Sequence, residues 1–228
     1  MRVINTLLIV TVMGLSAGIA TADDDLLQSQ CASCHNLTGP VPATLKALWE
    51  RKGPDLFYAG VKYKADWIEQ WLQKPARIRP AGMFYADHIR TENGADVIDT
   101  ATLTAHPSLN AEQARAAAAT LMKLKANSDL VKPGEFKSGP MSLASGEMLF
   151  DKFKGCLACH EIEPGYGGLS GPEMYSAGHR LQEDYTVSYL RNPQAWDPKG
   201  YMPNRHLSDT DLQKLVNYLR VLAEESKP

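Results

Sequence analysis

Two copies of the pattern Cys-x-x-Cys-His are the residues of this 228-residue chain whose types and spacing most directly predict chemistry. They use all four cysteines: Cys31, Cys34 and His35 in the first copy, and Cys156, Cys159 and His160 in the second. Two thiols three positions apart on one helical turn can each add to a vinyl group of the same haem. The adjacent histidine can then coordinate the iron, which makes the pattern the signature of c-type haem attachment. Two copies predict two covalently attached haem c groups.

Three other uses of paired cysteines fit the sequence less well. Four cysteines in an exported chain could form two disulfides, and paired Cys-x-x-Cys motifs can bind zinc. Zinc sites of this kind place the second pair about 15–20 residues after the first, whereas the offset here is 125 residues. A thioredoxin-like motif requires one pair near a βαβ pattern, which the sequence lacks. None of the three explains a histidine directly after both pairs.

The N-terminal residues 1–22 are predicted to be a secretory signal peptide. Arg2 supplies the positive charge, residues 3–19 are mostly apolar, and Ala20, Thr21 and Ala22 form a small-x-small cleavage site before an acidic run. An uncleaved membrane anchor is the alternative, because the apolar stretch approaches the length of a spanning helix. The position of the cleavage site favours cleavage after Ala22 and export of the chain.

The charge of the mature chain excludes some partner classes. Removing residues 1–22 takes away one arginine and no acid, which leaves 23 Lys and Arg against 26 Asp and Glu, a net charge of −3. No basic region suits a nucleic acid, and no other long apolar run predicts stable membrane insertion. The predicted partners are redox proteins, with docking to a membrane oxidase or reductase as one possibility.

The sequence also repeats itself. A constant offset of 118 aligns residues 53–75 with residues 171–193 without a gap, and seven of the 23 pairs are identical. A self-similar unit that carries its own motif is expected to be one structural module. The sequence therefore predicts a first cytochrome c domain at 23–127, a linker at 128–145 and a second cytochrome c domain at 146–228.

Each predicted module consists of helices joined by irregular loops. The first helix is expected to carry the cysteines, and residues 146–153 show its pattern best. Asp66 and Asp184 are predicted N-caps of two middle helices, and Asn110 and Ser208 are predicted N-caps of two final helices. Strand-like alternation is nearly absent. The predicted fold class is all-α, with two tandem cytochrome c-type helical domains, each around one haem.

Methionines are the candidates for the second axial ligand of each iron. Met202, within Tyr201-Met202-Pro203, lies 42 residues after His160 and just before the final helix. Here the chain resembles class I cytochromes c, whose axial methionine lies in a Met-Pro loop before the C-terminal helix. The resemblance implies that Met202 is the ligand. Met174 and His206 are the alternatives.

The corresponding residue in the first module is Met83, at an offset of 119 from Met202. No proline follows it, and His88 is the alternative ligand, which would lower that haem's potential because Met/His ligation raises it. The first module also carries 21 extra residues within 84–108, interpreted as a solvated loop that could instead cover the haem edge or dock a partner. His106, His179 and His206 have no histidine at the repeated position and receive no role.

Across nearly all of the mature chain, the sequence is similar in plan to the dihaem cytochromes of the cytochrome c4 group. The resemblance implies two haems close enough to exchange electrons, in the periplasm of a Gram-negative bacterium. The insertion at 84–108 and the missing Met-Pro pair depart from that plan.

The function predicted from these features is one-electron transport between redox partners, which is not an enzymatic activity. The alternative is a dihaem oxidoreductase, either a peroxidase or an enzyme that oxidises a small inorganic substrate. Its open or labile site would lie at the first haem. A cytochrome subunit that serves a catalytic partner is a third possibility.

Overall fold

The computed structural model of the protein describes residues 22–226. The predicted signal peptide lies outside these residues, apart from Ala22. The described α-helices are α1 (Ala22–Gln30), α2 (Leu45–Trp49), α3 (Ala59–Lys62), α4 (Ala65–Gln73), α5 (Ala111–Leu121), α6 (Leu143–Met148), α7 (Ala177–Arg180), α8 (Glu183–Arg191), α9 (Pro193–Trp196) and α10 (Asp209–Glu225). Short 3-10 turns span Tyr85–Asp87, Thr100–Thr102, Ser128–Leu130 and Cys156–Ala158, and a π-helical turn at Leu149–Phe153 continues α6.

Two antiparallel hairpins show that the all-α prediction is wrong. Strands β1 (Ile89–Glu92) and β2 (Ala95–Ile98) pair within the insertion, and β3 (Glu161–Glu163) pairs with β4 (Tyr166–Gly167) directly after the second motif. The first hairpin turns at Asn93 and Gly94, with φ of 52° and 82°. An Asn-Gly pair with both residues at positive φ is the favoured turn of a two-residue hairpin. The fold is therefore mixed, with helices predominant.

The caps of the final helices confirm the sequence prediction, whereas those of the middle helices do not. The Asn110 side chain accepts from the Gln113 backbone N–H within a capping box, and Ser208 accepts from Asp211. Helices α4 and α8 begin at Ala65 and Glu183, one residue before Asp66 and Asp184. The two aspartates therefore lie in the first turn rather than at the N-cap.

Asp184 instead fixes the predicted linker. Its carboxylate accepts hydrogen bonds from the backbone N–H groups of Gly134 and Phe136, at 2.7 and 2.8 Å. Gln213 and Asn217 on α10 accept in the same way from Lys137 and Gly139. Segment 128–145 is consequently docked on α8 and α10 along much of its length.

Each half has its own apolar core. In the N-terminal half, Leu27 of α1 and Leu72 of α4 pack with Leu121 and the buried alanines of α5. In the C-terminal half, Phe150 packs with Tyr218 and Leu215 of α10. Burial of such side chains contributes about 1.5–3 kcal/mol each, and in both cores the partly buried first cysteine of the motif lies against the cluster.

The two halves meet through equivalent residues. Tyr63 and Leu181, which the repeat aligns at an offset of 118, form an antiparallel bridge. On one side of it the Lys64 N–H donates to the Arg180 carbonyl at 3.0 Å, and on the other the Gln182 N–H donates to the Lys62 carbonyl at 2.9 Å. The contact is therefore pseudo-twofold: each half presents the same segment to the other.

An aromatic cluster extends this interface. Tyr58 of the N-terminal half packs on Tyr185 and Trp196 of the C-terminal half, with ring centroids 6.4 and 5.3 Å apart. Trp196 has no exposed surface, and its indole N–H donates to the Ser188 hydroxyl at 3.1 Å. The halves share a continuous core at this point.

Arg51 links the halves by charge. Its guanidinium pairs with Asp55 and with Asp197, each at 2.9 Å, and Asp55 is only 3% exposed. Burial raises the pKa of Asp55, and Arg51 opposes that rise by favouring the carboxylate. The guanidinium thus compensates two acids that would otherwise be largely buried without an ion-pair partner.

Replacing Arg51 with methionine is expected to lower the free energy of unfolding by about 3 kcal/mol near neutral pH, because it leaves buried carboxylates unpaired. Asp55 has a folded-state pKa above its unfolded value, so its ionisation disfavours the fold. The deficit should therefore shrink as pH falls and Asp55 takes up a proton. Denaturant titrations at several pH values measure this. Lys46→Met, which breaks an exposed ion pair with Glu50, is the control and should change stability by about 0.5 kcal/mol or less.

No helix among residues 22–226 is long and apolar enough to span a bilayer.

Candidate haem-attachment sites

The second motif lies just after the first helix of the C-terminal half ends at Phe153, so the prediction that this helix carries the cysteines is wrong. Cys156 begins a 3-10 turn, and the N–H groups of Cys159 and His160 both donate to its carbonyl at 3.1 Å. The turn leaves Cys156 partly buried against the core and Cys159 exposed. The two thiols are therefore separated by one turn and present different degrees of access.

His160 is held in one tautomer. Its ring is buried, and its Nδ1 lies 2.7 Å from the carbonyl oxygen of Pro172. A carbonyl can only accept, so Nδ1 carries the proton and Nε2 keeps a free lone pair. Burial, with repulsion from Arg79 and Arg180, lowers the pKa of His160 to about 4. The imidazole is thus neutral at physiological pH, the form that binds a metal.

The first motif has the same construction. The His35 N–H donates to the Cys31 carbonyl at 2.9 Å, and the His35 Nδ1 donates to the Pro54 carbonyl at 2.8 Å. Burial is the main cause that lowers the pKa of His35, and repulsion from His106 adds to it. Cys31 is partly buried and Cys34 exposed, as in the second motif.

A glycine packs directly against the ring of each histidine. A Cβ on Gly53 would lie 2.5 Å from Cε1 of His35, and a Cβ on Gly171 would lie 2.5 Å from Cε1 of His160. Neither distance permits a side chain, so glycine is required by close approach rather than by backbone conformation. The following prolines supply the carbonyls that orient both imidazoles.

These features fit a covalently attached haem in each half. All four cysteines are free thiols rather than disulfides. Each motif pairs two thiols with an imidazole whose Nδ1 is tied to a backbone carbonyl, the outer-sphere bond typical of metal-ligating histidines. Cys31, Cys34 and His35 would hold one haem, and Cys156, Cys159 and His160 the other.

The loops that contain the predicted methionine ligands lie beside each other. Met83 is partly buried and precedes Phe84, whose ring stacks on Tyr201 with centroids 6.2 Å apart. Tyr201 precedes Met202, which is also partly buried, and Gln194 donates to the Met202 carbonyl at 2.8 Å. The structure thus brings the two loops together at the contact between the halves.

Two of the alternative ligands, His206 and His88, occupy less suitable positions. His206 is exposed and has a positive φ of 48°. His88 forms a hydrogen bond through Nδ1 with Thr102 at 2.9 Å, and its Nε2 edge packs on Gly82, 2.7 Å from where a Cβ would lie. Nδ1 of His88 is therefore engaged by a local hydrogen bond, and the Nε2 edge of its ring lies against Gly82.

Sequence reasoning missed two features of the site. His106 lies with its ring centroid 6.1 Å from that of His35, although 71 residues separate them in the chain. Arg79 is partly buried and forms no ion pair among the described residues, and burial lowers its pKa. A guanidinium in such a place would suit an anionic group such as a haem propionate. The only sequence signal for His106 was its position just before a final helix.

Comparison with protein families supports a haem site in the C-terminal half of the chain. Residues 142–219 match the family model described as cytochrome C oxidase, cbb3-type, subunit III. Searches of the curated proteins and of the solved structures found no match. The prediction of two tandem cytochrome c-type domains is therefore corrected to one recognised domain. Residues 142–219 form a cytochrome c domain similar to that family, which implies a covalently bound haem and electron transfer with redox partners.

Proposed function

We propose that the protein is an exported, periplasmic dihaem electron carrier, with one haem c in each half. The observation that supports this most directly is the repeated construction around the proximal histidines. In both halves a Cys-x-x-Cys-His motif ends in an imidazole bonded to a proline carbonyl, with a glycine packed behind it. The family match covers most of the C-terminal half. The proposed haem of the N-terminal half rests instead on the geometry that its histidine shares with that of the C-terminal half.

When bound, a haem supplies reversible one-electron chemistry at its iron. The chain's own residues attach the group, orient it and set its potential. The cysteine pairs anchor the group covalently, and His35 and His160 each present Nε2 as a proximal ligand. Burial of the histidines and their bonds to Pro54 and Pro172 tune the potential, because orientation and ligand basicity are set by outer-sphere partners.

Met202 is the proposed second axial ligand of the C-terminal haem. For the second axial position of the N-terminal haem the sequence predicts Met83. The structure offers His106 as a further candidate, because its ring lies near that of His35. Filled axial positions at both haems favour electron transfer over substrate chemistry, since neither haem then offers an open site.

The proposed partners are a redox donor and a redox acceptor, one of them a membrane oxidase complex. The matched family is named as a subunit of a cbb3-type oxidase, which supports an oxidase as the acceptor. The shared interface of the two halves, built from Tyr63, Leu181 and the Tyr58 cluster, holds both sites in one body and suits electron exchange between them.

Anaerobic redox titration and ligand binding test the carrier function. Two one-electron steps are expected, and the ferrous protein should bind carbon monoxide slowly at both haems. Fast carbon monoxide binding at one haem, together with turnover of hydrogen peroxide, would show an enzyme instead. Both haems are measured in the full-length chain.

A further inference from the structure

The strongest unassigned feature of the molecule is the pair of imidazoles at the first motif. The ring centroids of His35 and His106 are 6.1 Å apart, and the ring planes are inclined by 55°. A metal–imidazole nitrogen bond is about 2 Å long. Because the ring centre lies about 1 Å beyond that nitrogen, two imidazoles on opposite faces of one iron have centroids roughly 6 Å apart. The observed separation matches this value.

We propose that His106, rather than Met83, is the second axial ligand of the N-terminal haem. The inference rests on the proposed haem at Cys31, Cys34 and His35. It gives the two haems different coordination: bis-histidine in the N-terminal half, and histidine with methionine in the C-terminal half.

The hydrogen bonds of His106 support ligation. Its Nδ1 lies 2.9 Å from the Pro107 carbonyl, which can only accept, so the proton is on Nδ1 and Nε2 has a free lone pair. His35 and His160 are oriented in the same way by Pro54 and Pro172. All three imidazoles thus share the tautomer in which Nε2 is available to iron.

The surroundings of His106 fix its ring. Trp71 of α4 lies against it with centroids 4.7 Å apart, and Trp71 itself is stacked on Trp67 and bonded through its indole N–H to the Ala76 carbonyl. The ring is therefore supported by a rigid aromatic row, although its outer face is exposed.

The chain position of His106 gives an independent argument. It lies four residues before Asn110, the N-cap of α5, and Met202 lies six residues before Ser208, the N-cap of α10. Both residues are therefore in the loop that leads into the final helix of their half. Met83 is 27 residues before Asn110, because the insertion with hairpin β1–β2 separates it from that loop.

Bis-histidine coordination has a functional consequence. Methionine with histidine raises the haem potential relative to two histidines. The N-terminal haem should therefore have the lower potential, and electrons should run from the N-terminal to the C-terminal haem. The unequal ligands would give the carrier a direction that two identical sites would lack.

The test uses His106→Gly in the full holoprotein, with Met83→Leu and His88→Gly as matched controls. Haem content is measured first by the pyridine haemochrome assay. Wild type should show a far-red methionine-to-iron band of the size expected for one Met-ligated haem. His106→Gly should leave that band unchanged, make one haem high-spin and open it to cyanide. Added imidazole should restore its low-spin spectrum, and both control variants should resemble wild type.

Each outcome has a separate meaning. Two haems with a far-red band that halves in Met83→Leu would assign Met83 and overturn the proposal, as would a His88→Gly variant that becomes high-spin while His106→Gly does not. If wild type contains a single haem, the proposed dihaem function fails instead, and the haem assay shows this before any ligand is exchanged. Failure of imidazole to restore the His106→Gly spectrum would also count against ligation.

Discussion

Alanine at Gly171 or Gly53 is expected to displace the proximal histidine of that half and to lower the free energy of unfolding by about 3 kcal/mol, the upper range for overpacking a close contact. The new Cβ would lie 2.5 Å from Cε1 of His160 or of His35. Neither glycine has a left-handed backbone, so the effect is purely steric. We expect the ring to move away from the Pro172 or Pro54 carbonyl to which it is bonded, and at Gly171 the new Cβ would also lie 2.8 Å from the Cys159 carbonyl oxygen.

Denaturant unfolding and visible spectra of the holoproteins measure the two variants. Gly139→Ala is the matched control: its Cβ would meet nothing closer than Asn217 Nδ2 at 4.0 Å, and its φ is not in the left-handed region. The control should retain wild-type stability and spectra. If Gly171→Ala and Gly53→Ala behaved like the control, the close-packed histidine geometry described above would be wrong.

Replacing one pair of cysteines with serines is expected to remove one haem and to leave the other. The C31S/C34S variant should retain the C-terminal haem with its far-red methionine band. The C156S/C159S variant should retain a haem that lacks this band, because His106 and not a methionine completes its coordination. The physical reason is that thioether attachment requires thiols that belong to one motif, and the motifs lie in separate halves.

Intact mass and pyridine haemochrome content of the accumulated full-length chains measure this. Cys34→Ser and Cys159→Ser, each of which removes a single exposed thiol, provide milder variants if a double variant accumulates poorly. An unchanged haem content in C31S/C34S would exclude the N-terminal attachment site. Retention of the far-red band in C156S/C159S would exclude Met202 as its source.

Local signals identified the two motifs and predicted several of the helices. The two motifs identified both histidines, and the offset of 118 aligned the Gly53-Pro54 and Gly171-Pro172 pairs, which the structure then places against the two imidazoles. Asn110 and Ser208 are predictable caps because Asn and Ser favour the N-cap, where their side chains accept from the backbone three residues on. These features depend on residues close in sequence, where propensity and spacing carry the information.

Other features depend on contacts that single-sequence patterns do not show. The Asn93-Gly94 turn carried a hairpin signal, but strands of four residues give too little alternation to be recognised. Asp184 has the sequence pattern of an N-cap, but its partners, the backbone N–H groups of Gly134 and Phe136, lie 50 and 48 residues away in the chain. Arg51 and Asp197 are 146 residues apart in the chain, yet they form an ion pair. His35 and His106 are 71 residues apart, yet their rings lie close together in the fold.

The number of haems per mature chain tests the central claim most directly. Intact mass spectrometry of the purified protein, with a pyridine haemochrome assay on the same sample, gives that number. We predict two covalently attached haems on a chain that begins after Ala22. A chain with a single haem, attached at Cys156 and Cys159, would contradict the account.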